Sequence, residues 1–179
     1  MKRTSPILGV LFAMFTLLTS AEARTFPDFT EFRGHVQGTL TLIAIGSTFP
    51  GSGKVSVIVP RSGRSATFNI SGSVTASGTT LPLSNMLTFS SSKSFTAQDL
   101  LFHLGGGATT SASGQYSSSK RNINYSARFV FGGSSGTVSG TIRTHQSKTK
   151  KTLEITYILK LDSSPATYQF NITASRRIK

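Results

Sequence analysis

The sequence predicts an all-β protein, an antiparallel up-and-down meander forming a small barrel or sandwich of about 8–10 strands. Two observations carry that prediction. Apolar residues recur at every second position over most of the chain, and short clusters of Gly, Ser, Asp and Pro separate the alternating runs. Residues i and i+2 of a strand share a face, so each run has one apolar and one polar side. Sheets that are wet on one side are characteristically antiparallel.

The chain has 179 residues, and its first 23 are set apart from the fold. Lys2 and Arg3 precede an uncharged, largely apolar run from Ile7 to Leu18, and Ala21-Glu22-Ala23 supplies small residues at −3 and −1 of a cleavage site. That order is a secretory signal peptide, and the run is too short to cross a bilayer. The expectation is therefore a cleaved leader over residues 1–23 and a single all-β domain over residues 24–179, in an extracytoplasmic (periplasmic or secreted) protein. A domain of that length buries about two-thirds of the surface its unfolded chain exposes. Export permits disulfides, yet the sequence has no Cys, so strand pairing and apolar packing have to hold it.

The strands follow in order. Segments 32–45 and 54–60 open the domain. In Ser65 to Ser77, Ala66, Phe68, Ile70, Gly72, Val74 and Ala76 share a face opposite Thr67, Asn69, Ser71, Ser73 and Thr75. Segment 81–90 comes next. Residues 96–104 break the pattern and read as a short helix or a buried strand: Thr96 and Asp99 resemble a capped helix start, and Gly105 stops the run. Arg121 to Phe131, Thr137 to His145, Lys151 to Leu161 and Ala166 to Ser175 then form a four-strand meander. The alternation predicts that Phe68, Ile70, Phe129, Phe131, Leu153, Ile155, Tyr157, Phe170 and Ile172 point into one core.

Catalytic motifs fail on context. Gly132 to Gly136 matches G-x-S-x-G, but a strand rather than a helix follows it, so a hairpin loop is expected. Pro50-Gly51-Ser52-Gly53-Lys54 resembles a phosphate loop, but Thr48 and Val55 stand where that motif needs Gly and Ser/Thr; it reads as a turn. His35, His103 and His145 are scattered, as are the acids, so neither a metal site nor paired-carboxylate chemistry is indicated. No cofactor is implied, and the protein is expected not to be an enzyme. Sequons at Asn69, Asn124 and Asn171 lie on polar strand faces, where a Ser/Thr-rich composition produces the triplet by chance.

Charge carries the functional signal. Lys and Arg total 19 against 6 Asp and Glu, a net charge of +13. Arg61 and Arg64 flank one expected turn, Lys120 and Arg121 another, and Arg143, Lys148, Lys150 and Lys151 surround a third. Alternate turns of a meander share an end, so these eight residues form a candidate anion-binding rim. Aromatic residues are not interleaved with them, which disfavours nucleic acid as the partner. The leading reading is an exported, non-catalytic β-barrel or β-sandwich binding protein. Its ligand is an apolar molecule within the barrel or an anionic envelope lipid or polysaccharide at the rim. The alternative is a small outer-membrane β-barrel, with the apolar faces turned toward lipid.

Overall fold

A computed structural model of the chain describes residues 29–98, 111–119, 121–131 and 134–178. The leader expected over residues 1–23 lies outside them. A 3-10 turn, Thr30–Phe32, is followed by β1 (Gly34–Ala44), β2 (Ser47–Ile58), β3 (Ser65–Ala76), β4 (Thr79–Ser90), β5 (Ser94–Gln98), β6 (Ser111–Ser119), β7 (Asn122–Phe131), β8 (Ser134–Gln146), β9 (Lys150–Leu161) and β10 (Thr167–Arg177). Each strand pairs antiparallel with its sequence neighbours. β10 returns to β1 with Gly38 opposite Ala174 and Ala44 opposite Tyr168, which closes a ten-stranded barrel. Closure pairs the first and last strands with each other, so neither is left as an open sheet edge.

The alternation fixes which face points inward. Phe68, Ile70, Phe129, Leu153, Ile155, Tyr157, Phe170 and Ile172 are all buried in one cluster; the side chain of Phe131 lies outside the described residues. Slipping any strand by one residue would exchange its buried set for its Ser/Thr/Asn set, so burial specifies the register. Aromatic rings build much of this core. Phe29 meets Phe68 edge-on at 5.0 Å, Phe68 meets Phe89 at 6.0 Å, and Phe89 stacks on Phe95 at 5.7 Å. Outward positions such as Thr67 and Thr88 pair across the wet face, their hydroxyls 3.1 Å apart.

Two expectations change, and one left open, helix or strand at residues 96–104, resolves to a strand over its described residues. Residues 50–54 are not a turn but the middle of β2, with Gly51 opposite Val74 and Gly53 opposite Gly72. The reversal occurs earlier, at Ile45 and Gly46, both with positive φ, the conformation that suits a two-residue hairpin. Gly51 is needed for close approach rather than for turning: a Cβ there would lie 2.1 Å from the Ser73 carbonyl oxygen. Residues 96–98 of the possible helix belong to β5, paired to both β4 and β6, and the rest of that segment lies outside the described residues. β6 has no counterpart among the expected strands, because the inward face of Ser111–Ser119 carries Ala112, Gly114, Tyr116 and Ser118, of which Tyr116 is the one large side chain. The G-x-S-x-G segment has Ser134 onward in β8, paired with β7, as a hairpin requires; residues 132 and 133 lie outside the described set.

Candidate anion-binding end

The topology decides where the cations go. In a barrel whose strands alternate in direction, the β2–β3, β4–β5, β6–β7 and β8–β9 turns lie at one end, with the start of β1 and the finish of β10. Arg61 and Arg64 occupy the first of these turns, Arg121 the third, and Lys148 the fourth. Arg143, Lys150 and Lys151 stand on the strand ends beside it. The described members of the sequence-derived set therefore share one end; Lys120 lies outside the described residues. Arg33, Lys93, Arg176 and Arg177 join them, with Arg177 opposite Lys150 and Arg176 opposite Lys151. Sequence reasoning left Arg33 out because adjacency of the two chain ends follows only from closure. Lys54, Arg128 and Lys160 are the described Lys and Arg elsewhere.

Local hydrogen bonds shape the turns that carry the charges. The Gly63 N–H donates to the Pro60 carbonyl at 3.0 Å, which sets Arg61 on an exposed β-turn. Ser147 closes the β8–β9 turn twice, its N–H and hydroxyl donating to the Lys150 carbonyl at 2.8 and 3.1 Å, and Lys148 stands exposed at the tip. Lys93 is more committed. Its ammonium donates to the Ser118 hydroxyl at 2.9 Å and lies 5.3 Å from the centre of the Tyr116 ring.

Two cations hold a plug. Phe29 and Phe32, on either side of Glu31, are fully buried in the core. Arg176 donates to the carbonyls of Glu31 at 3.1 Å and Arg33 at 3.0 Å, while the Lys151 ammonium pairs with the Glu31 carboxylate at 2.5 Å. Both partners of that ion pair are only 27% and 28% exposed. Lys151 thus has a structural task that its place in an alternating run did not reveal. Arg143 faces Glu154 in the β8–β9 register, and Glu154 also meets His145 at 3.1 Å, so this sector is partly neutralised. The least compensated cations are those on the turns and at the end of β10.

The opposite end differs. Ile45 and Val130 are exposed there, and Phe49, Leu161 and Tyr168 are partly buried against the core. Arg128 and Ser135 both contact the Asp162 carboxylate, at 2.5 and 2.6 Å. The Ser135 hydrogen bond, with the nearby Arg128 and Lys160 charges, holds that carboxyl below its usual range. This cluster ties the β9–β10 turn to β7 and β8.

Among the described residues, the lumen between the ends is packed. Its side chains are nearly inaccessible to water, from Leu40 and Val55 through Leu87 and Ile123 to Ile142 and Leu153. Polar groups are buried in it as well, among them Tyr125, Tyr157, Asn85 and Thr144. Tyr125 donates to the Thr156 carbonyl at 3.2 Å. Burial, followed by the proximity of Tyr157, pushes the Tyr125 phenol well above its usual range. Burial also raises Tyr157, and a side-chain hydrogen bond with Asn85 opposes that rise in part. Asn85 Oδ1 is buried without a partner. Among the described residues, no group of three or more His, Cys, Asp and Glu is placed to hold a metal ion.

The fold and its charge define a closed antiparallel barrel with a packed apolar interior, a polar wall and one cationic end. No protein-family model matches the chain. No curated protein matches it either. Among solved structures, a candidate outer membrane protein of Bacteroides fragilis aligns with 84% of this chain and 100% of its own at 9% identity, with a TM-score of 0.17. At that score the alignment carries no weight for fold or function.

Proposed function

We propose that this chain is an exported, non-catalytic barrel that binds an anionic envelope component through its cationic end. The observation that carries the reading is the gathering of Arg61, Arg64, Arg121, Lys148, Lys150 and Arg177 at one end of a closed barrel. Charges at one end sum into a field that isolated residues do not produce, and such a field concentrates polyanions. The packed lumen favours the rim over an apolar ligand held inside. The direction of the faces favours a barrel in water over one in lipid, since a membrane barrel presents apolar residues outward and polar ones inward. In this chain the outward residues of β3 are Thr67, Asn69, Ser71, Ser73 and Thr75.

The test is a titration with dextran sulfate at low and high salt. Wild type should bind, with affinity falling steeply as salt rises, because the Debye length shrinks from about 10 Å at 0.1 M to about 3 Å at 1 M. Replacing Arg61, Arg64, Lys148 and Lys150 together by Gln should weaken binding at least tenfold and leave the thermal midpoint nearly unchanged, since exposed charges contribute little to folding. Equal binding by the variant, or binding indifferent to salt, would overturn the proposal.

A further inference from the structure

The cationic end also carries apolar side chains. Ile58, the last residue of β2, is 51% exposed, and Ile178, just beyond β10, is 37% exposed. β1 lies between these two strands, with Gly34 opposite Val57. The Ile178 N–H donates to the Thr149 carbonyl at 3.0 Å, which seats it beside the turn bearing Lys148. Ile58 is followed within the same connection by Arg61 and Arg64. Each exposed isoleucine therefore stands next to exposed cations. At the other end Ile45, Leu81 and Val130 are exposed as well, but the cation beside Val130, Arg128, is already paired with the Asp162 carboxylate.

We infer that the anionic component is a lipid bilayer surface, met end-on, with Ile58 and Ile178 entering the headgroup region between the cations. The inference rests on the anion-binding reading above and narrows it. Geometry favours a surface over a soluble polymer. The cationic turns are spread around the circumference of a ten-stranded barrel, and a plane can reach all of them at once, whereas a linear chain crosses only part of the ring. At an anionic leaflet each Lys or Arg near the surface raises affinity about fivefold. Apolar side chains beside the cations add a contribution that salt does not screen, the combination that holds amphipathic segments at interfaces. The wall of Ser, Thr and Asn would stay in water, since its hydroxyls and amides lose hydrogen bonds in hydrocarbon.

The chain contains no Trp, so one introduced indole reports its own surroundings. Ile58→Trp and, as a control at the far end, Ile45→Trp would be mixed with phosphatidylcholine vesicles with and without phosphatidylglycerol. The Ile58→Trp emission should shift to the blue only with phosphatidylglycerol, and Ile45→Trp should not shift. The Ile58→Ser/Ile178→Ser variant should lose about tenfold or more in vesicle affinity, as expected for removing buried apolar surface, while binding dextran sulfate like wild type. Both Trp variants and the Ser pair would first be shown to keep the wild-type circular dichroism. A silent Ile58→Trp, or undiminished vesicle binding by the Ser pair, would overturn the bilayer inference. If the four-fold Gln variant were then still weakened toward dextran sulfate, the anion-binding reading would survive that failure. If it bound both probes like wild type, both readings would fall.

Discussion

Single residues show why this barrel tolerates so little change at its strand centres. Gly140 sits in β8 opposite both Tyr125 and Tyr157, and a Cβ there would lie 2.1 Å from the Thr156 carbonyl oxygen and 2.6 Å from the Tyr125 hydroxyl. The second contact matters because that hydroxyl donates to the same carbonyl. Gly140→Ala should therefore disturb the strand and the phenol together, at a cost of about 1 to 3 kcal/mol, the usual range for overpacking. Chemical denaturation measures it, and a loss below half a kcal/mol would mean that the barrel wall yields at this point. Glycine at 140 makes room for the ring across the strand pair; it is not there to supply an unusual φ.

Between residue and barrel stands the plug, and here sequence and structure part company in an instructive way. Alternation located most strands and the inward residues of β3, β7, β9 and β10, because their inward positions are mostly large and apolar while their outward ones are mostly polar or charged, with Val130 and Ile158 as exceptions. The same signal failed at β6, where Ala112 and Gly114 line the inward face, and at residues 50–54, where Pro and Gly imitate a turn inside β2. The shared end of the cationic turns was legible from the meander alone, since alternate hairpins must lie together. The closing contacts of the N-terminal segment were not, because Glu31 and Lys151 are far apart in sequence and no short-range pattern links them. Their pairing makes a difference to mutants: Lys151→Gln should destabilise by about 1 kcal/mol, near the top of the range for exposed pairs because this one is partly buried. Lys148→Gln should have no measurable effect. Urea melts of the two variants decide it, and equal stabilities would show that Lys151 is merely another solvated cation.

At the scale of the whole molecule, the acid–base behaviour follows from where the phenols lie. Burial pushes Tyr116 up to about 12 and lifts Tyr125 and Tyr157 above their usual value as well, since ionised phenolates are poorly accommodated in an apolar interior. In the unfolded chain each of these tyrosines loses its proton near pH 10. Above that pH the folded state holds protons that the unfolded state has released, so stability falls as pH rises. The stabilisation from the neutral buried phenols is fully present below about pH 10 and declines as pH climbs through the folded values. Asp162 has the opposite sign: its lowered value adds stability above about pH 4 that disappears on acidification, but its carboxyl is exposed and the contribution is small. Charge repulsion does not provide a competing cause of alkaline unfolding, because the isoelectric point is near 10.8 and net charge is lowest where the phenols begin to matter. The expected result is a cooperative loss of β-sheet circular dichroism above about pH 10, with the phenolate absorbance of Tyr116, Tyr125 and Tyr157 rising in the same transition. If these three phenols ionised while the sheet signal stayed intact, the interior would be open to water, and the packed lumen that favours the rim over an internal ligand would have to be given up.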